Sequence, residues 1–137
     1  MSKKEEYTIK SLEFLQNIIA RLNNNSFNIK VFATTIFGLL ITLYIEKKNI
    51  LFIYVCLVCM IMFTLMDSLY LCNERKFRKI YESLIKSSKD KDLKVFQYDI
   101  NNIKDITFFN VTVSYSILLI YLSMISVLIF IAIFYYN

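Results

Sequence analysis

Apolar residues in this chain are gathered into long blocks instead of recurring on one face. The first block covers residues 31–45, with Phe27 and Ile29 just ahead of it. The second runs unbroken over 50–66 and continues past Asp67 to residue 72. The third, residues 111–136, holds no charged side chain. A helix that is apolar all round needs an apolar solvent, and a span needs about 20 residues to cross a ~30 Å hydrocarbon layer. The pattern predicts transmembrane helices over 27–45, 50–72 and 111–136. The first of these is long enough only if it begins at Phe27 and Lys30 snorkels toward the headgroups, since 31–45 alone reaches ~22 Å. Asn25 or Ser26 is the expected N-cap of that span. The third is longer than a perpendicular crossing needs, which predicts tilt or a start within the headgroup region.

The remaining segments show a different period. Over residues 5–24, Leu12, Leu15, Ile18, Ile19 and Leu22 share one helical face while Glu13, Gln16, Asn17 and Arg21 lie elsewhere. That spacing predicts an amphipathic helix, lying on the headgroups or against a neighbouring helix; a docking site for another protein is the sharper reading. Residues 73–88 keep an apolar stripe at Phe77, Ile80, Tyr81 and Leu84 with nothing to break the second helix, so it should continue beyond the membrane. A polar stretch from residue 87 ends it, and 89–106 reads as a loop or a short strand-like segment on the same side. The fold class is therefore an all-α, single-domain integral membrane protein: three transmembrane helices, an N-terminal amphipathic helix and a cytoplasmic extension of the second helix.

Charge sets the orientation. With three crossings, residues 1–30 and 73–105 share a side and carry fourteen Lys and Arg, against two (Lys47 and Lys48) on the other. Positively charged flanks stay inside, which places the N-terminus in the cytoplasm and the C-terminus outside. Tyr44, Tyr54, Tyr135 and Tyr136 fit an outer aromatic belt, and Tyr70, Phe108 and Phe109 an inner one. The first residues, MSKKEEYTIK, lack the apolar core and cleavage site of a signal peptide, so the first span is expected to direct insertion.

Composition narrows the chemistry. There is no His, which removes the usual base near neutral pH and the commonest metal ligand. One Gly and no Pro argue against phosphate-cradling loops and broken transporter helices. Cys56 and Cys59 have a CxxC spacing, but inside an apolar helix and without a second ligand pair they read as small hydrophobes; Cys72 is expected to be a free thiol. No catalytic residue, metal site or cofactor is predicted, and an enzyme is the least favoured class.

Asp67 is the one ionisable residue within a continuous apolar block. Inserting a charged Asp at mid-bilayer costs about 2.5–3.5 kcal/mol, less near the interface. It reads either as a polar anchor bonding another helix or as part of an ion path or ligand pocket. Tyr70, Glu74 and Arg78 follow on its face. Arg75, Lys76, Arg78 and Lys79 form a basic cluster at the boundary, either fixing topology against anionic lipid or binding an anionic ligand such as a nucleotide. A nucleic-acid surface would need a larger, aromatic-interleaved basic face.

Two stripes suggest close helix packing. Thr34, Gly38 and Thr42 repeat at four-residue spacing in the first span. In the third, Thr112, Ser116, Ser123 and Ser126 share one side, while Asn110, Ser114 and Tyr121 mark the other. Two polar faces on one helix motivate a homo-oligomer, one face meeting the same chain and the other a neighbour; pore-lining is the sharper alternative, interhelix hydrogen bonding the plainer one.

The run Phe14-Leu15-Gln16-Asn17-Ile18-Ile19-Ala20-Arg21-Leu22-Asn23-Asn24-Asn25-Ser26-Phe27-Asn28-Ile29-Lys30, with Met66-Asp67-Ser68-Leu69-Tyr70-Leu71 and Glu74-Arg75-Lys76-Phe77-Arg78-Lys79-Ile80-Tyr81, resembles segments of small bacterial three-span inner-membrane proteins. This chain has Val31-Phe32 where that group has a Trp at the start of its first span. The resemblance implies a multi-pass protein of the bacterial inner membrane, associated with anti-phage or nucleotide-signalling loci in which small membrane subunits act as effectors. Two functions are carried forward. One is a non-enzymatic, oligomeric effector that permeabilises or perturbs the membrane on a cytoplasmic signal from a sensor protein or nucleotide. The other is an anchor or scaffold that holds a cytoplasmic partner. A phage holin fits poorly, because the final residues carry no charge.

Overall fold

The computed structural model describes residues 3–87, 103 and 105–136. Most of the 89–106 loop, and the side chains of Tyr135 and Tyr136, lie outside the described residues. Four helices follow in order: α1 Lys3–Lys47, α2 Leu51–Ser87, α3 Phe108–Thr112 and α4 Tyr115–Tyr136. Among the described residues all regular structure is helical, and α1, α2 and α4 each contain a segment long and apolar enough to cross a membrane.

The amphipathic segment and the first span are not separate. α1 is one helix of 45 residues, about 68 Å long at 1.5 Å per residue. The run Asn23-Asn24-Asn25-Ser26 has weak helix propensity and reads locally as a cap, yet it contains no Pro or Gly to stop the helix. Packing against α2 overrides it, and Ser26 spends its hydroxyl on Asp67 instead of on a helix end. α2 likewise continues to Ser87, well past its apolar block.

A tight turn joins the two helices into an antiparallel hairpin. Lys48 adopts a left-handed conformation (φ 51°) and its N–H donates to the Tyr44 carbonyl at 2.8 Å, closing α1. Asn49 opens α2: its Oδ1 accepts from the Leu51 N–H at 3.0 Å and its carbonyl from the Phe52 N–H. The pairing then runs the full length of the hairpin. Near its far end Leu12, Leu15, Ile18, Ile19 and Leu22 are half-buried, Ile80 and Leu84 are buried, and Gln16 donates to the Tyr81 hydroxyl. Of the two bland expectations for the amphipathic segment, packing on a neighbouring helix is the arrangement found.

The third apolar block is interrupted. α3 ends at Thr112, Val113 takes φ −85° and ψ 7°, and the Ser114 carbonyl starts α4 by accepting from the Ile117 and Leu118 N–H groups. A Ser at this position favours a helix start over a helix interior, which the unbroken hydropathy of the block conceals. What remains, 22 residues or about 33 Å, matches one crossing without extra tilt. α4 runs antiparallel to α2: Leu128 and Ile131 lie beside Phe52, Ile53 and Cys56 near the turn, whereas Tyr121 lies beside Met60 and Thr64. Ile117, Tyr121, Met124 and Leu128 form its inward stripe, packed with Ala33, Cys56, Met60 and Val111 in the core. α1 and α2 therefore extend well beyond α4 at the end opposite the turn.

Candidate functional site

The site is built where α1 and α2 stop being apolar. Asp67 lies about 24 Å along α2 from Leu51, close to the depth at which a ~30 Å layer starting at the turn would end. Its carboxylate is fully buried. Oδ1 accepts from the Ser26 hydroxyl and from Lys30 Nζ at 2.7 Å, and Lys30 Nζ also donates to Ser26 Oγ at 2.7 Å. Lys30 does not snorkel as its position suggested. Its side chain is only 14% exposed because turning inward supplies the counter-charge that a buried carboxylate requires. Ser26 and Lys30 are one helical turn apart on α1, so both reach the same oxygen.

The other half of the carboxylate is not served. Among the described residues Oδ2 has no hydrogen-bond partner, and neither have the buried hydroxyls of Ser114 and Tyr121. Tyr121 lies on the inward face of α4. Ser114 is seven residues earlier, two turns back on the same face and toward Asp67. Beside Tyr121, Leu57, Met60, Ile61 and Leu65 of α2 and Ile125 of α4 line a groove of about 180 Å³, open along the exposed Leu57, Ile61 and Leu65. Thr64 also lines it, its hydroxyl donating to the Met60 carbonyl at 2.7 Å.

Beyond Asp67 the basic cluster is partly spent on partners. Arg78 donates to Glu74, a buried carboxylate one turn earlier. Lys79 binds Asp105, tying the start of the third segment to α2. That pairing holds the exposed Asp105 carboxyl below its ordinary range. Arg75 and Lys76 are half-buried along the helix. Two of the four cations are therefore paired within the chain.

The remaining expected positions divide cleanly. Tyr70 is half-buried, whereas Asn110 is exposed and separate from Ser114 and Tyr121. Thr34, Gly38 and Thr42 face outward, and nothing lies within 4 Å of where a Gly38 Cβ would sit. They do not pack α1 against α2. The reason is helical phase: Ile29, Ala33, Phe37 and Leu40 take the inward positions. Ser116, Ser123 and Ser126 are exposed too, and Thr112 is half-buried. The Thr112, Ser123 and Ser126 hydroxyls bond carbonyls of their own helix segments, which satisfies them without a neighbour. Cys56, Cys59 and Cys72 are all free thiols.

Sequence reasoning singled out Asp67 but missed Ser26 and misassigned Lys30. The available signal was their four-residue spacing, opposite an otherwise unpaired acid in the second apolar block. Comparison with family models, characterised proteins and solved structures finds no match to this chain.

Proposed function

We propose that this protein is a non-enzymatic membrane effector of the bacterial inner membrane, with the N-terminus and the long hairpin end in the cytoplasm. The observation that carries this reading is the Ser26–Lys30–Asp67 cluster, seated where two unbroken helices pass from apolar to polar sequence. Whatever binds the projecting hairpin acts on the spans directly, because no hinge separates the two regions of α1 or α2. Parting the helices at the cluster exposes a carboxylate, an ammonium and a hydroxyl inside the apolar region, which recruits water there. A cytoplasmic sensor protein or nucleotide supplies the signal, and anti-phage defence is the setting that the sequence resemblance favours.

The test is expression in bacteria loaded with a potential-sensitive dye, comparing the native chain with Asp67→Asn and Lys30→Met. The expected outcome is that weakening the cluster depolarises cells more readily than the native chain does. Unchanged potential and growth for all three, under every trigger applied, would remove this reading.

One observation favours a second reading, a scaffold for a cytoplasmic partner. Tyr7, Phe14 and Arg21 are exposed on the projecting part of α1 at seven-residue steps, a stripe suited to another helix. The scaffold reading predicts near-stoichiometric co-purification of one protein, lost in Tyr7→Ala/Phe14→Ala.

A further inference from the structure

We infer that the junction of α2 and α3 binds the phosphate of an anionic phospholipid, held by Arg75 and Lys76. Which cations are free decides the residues. Arg78 is paired with Glu74, and Lys79 with Asp105. Arg75 and Lys76 make no hydrogen bond or ion pair with any described residue, although both are half-buried. A stem packed against the protein limits where its charged head can stand, so an anion that binds there has less rotamer entropy to overcome.

Depth selects the anion. Arg75 lies about 36 Å along α2 from Leu51, and Lys76 follows it. A ~30 Å hydrocarbon layer with a headgroup zone of roughly 5–7 Å beyond it brings lipid phosphates to that level. Both cations stand one turn past Cys72, which is buried in the same core cluster as Val111 of α3. Asp105 is held at Lys79, and α4 begins at Tyr115 to cross the layer. The short helix α3 therefore occupies the rim between headgroups and hydrocarbon, and it packs on α2. Its Phe109 is 71% exposed, and Phe108 is exposed too.

Cations at the headgroup level above an apolar rim suit a molecule that carries both chemistries, a phosphate with acyl chains. A soluble phosphate would leave the aromatic rim bare. A zwitterionic lipid brings its own ammonium, so it gains less from two cations. The site uses neither the Ser26–Lys30–Asp67 cluster nor the Tyr7–Phe14 stripe, and so stands apart from the effector and scaffold readings alike.

The experiment is native mass spectrometry of the full chain in detergent, with equal amounts of dioleoylphosphatidylglycerol and dioleoylphosphatidylcholine. Expected is retention of phosphatidylglycerol over phosphatidylcholine by about tenfold to thirtyfold, since each cation contributes about fivefold. Arg75→Gln/Lys76→Gln should cut that preference to about twofold or less with helical circular dichroism unchanged, and Arg75→Lys should keep it. Arg21→Gln/Lys86→Gln removes two other exposed cations, one on α1 and one in the last turn of α2. That variant should stay within about twofold of the native preference. Excess glycerol 1-phosphate or ATP should not displace the lipid. Equal loss in the two double variants would overturn the inference, because the attraction would then belong to the whole charged surface. So would displacement by either soluble phosphate, which would make the ligand a free anion, or equal retention of both lipids by the native chain.

Discussion

At the residue scale, Asp67 decides more than any other side chain. A lone carboxylate in hydrocarbon is costly, and Lys30 and Ser26 offset that cost through one oxygen. Removing either charge leaves the other stranded. Lys30→Met is expected to destabilise the chain by about 3–5 kcal/mol, whereas Lys30→Met/Asp67→Leu recovers most of the loss because no buried charge remains. Unfolding titrations with a denaturing detergent measure both. A double variant no more stable than Lys30→Met alone would mean that the pair does not act as a unit. Asp105 presents the opposite case. Lys79 lowers its folded pKa, so their bridge contributes fully above the ordinary aspartate range near pH 4 and is lost only as pH falls through the lower folded value. Hydrogen-exchange protection around residues 105–107, taken relative to the intrinsic rate at each pH, should therefore hold down to about pH 4 and fall below it. Lys79→Ala should abolish that step.

At the element scale, the hairpin depends on its three-residue turn. Lys48 holds φ 51° without the freedom of glycine, a conformation that costs a residue with a Cβ about 1–2 kcal/mol. Lys48→Gly is expected to raise hairpin stability by about 1 kcal/mol, and Asn49→Ala to lower it by about 1 kcal/mol by removing the cap on Leu51. Both shifts are readable in the same titrations, and opposite signs are the diagnostic. The element boundaries also show what hydropathy cannot resolve. Asn25-Ser26 resembles a cap and lies mid-helix, while Val113-Ser114 resembles continuous helix and is a break. In each case the local preference was real, but the neighbour each segment packs against decided whether it was used.

At the scale of the whole molecule, outward-facing small and hydroxyl residues are the feature one chain does not employ. Thr34, Gly38 and Thr42 line one side of α1, and Ser116, Ser123 and Ser126 line α4, all exposed. Such stripes let helices approach closely in lipid, and the homo-oligomer expected from the sequence would use them. Gly38→Leu separates the two uses of this face. Within one chain the new side chain meets nothing near its Cβ and replaces a poor helix former, so monomer stability should rise by about 0.5–1 kcal/mol. Mass measurement of the solubilised protein should nevertheless show a smaller assembly than the native one. A native mass equal to one chain would remove the oligomer.

The sequence by itself determined that three segments suit lipid, that the second helix outruns its apolar block and that Asp67 needs a partner. Each follows from local solvation: an apolar run is costly in water and a carboxylate is costly in hydrocarbon, whatever surrounds them. Only the tertiary structure decided that the partner is Lys30 with Ser26, that the first two segments form one helix, and which stripe of each span turns inward. Those outcomes depend on the phase of one helix against another. A half turn of rotation about α1 carries Lys30 away from Asp67, and no periodicity within one segment records the register of its neighbour.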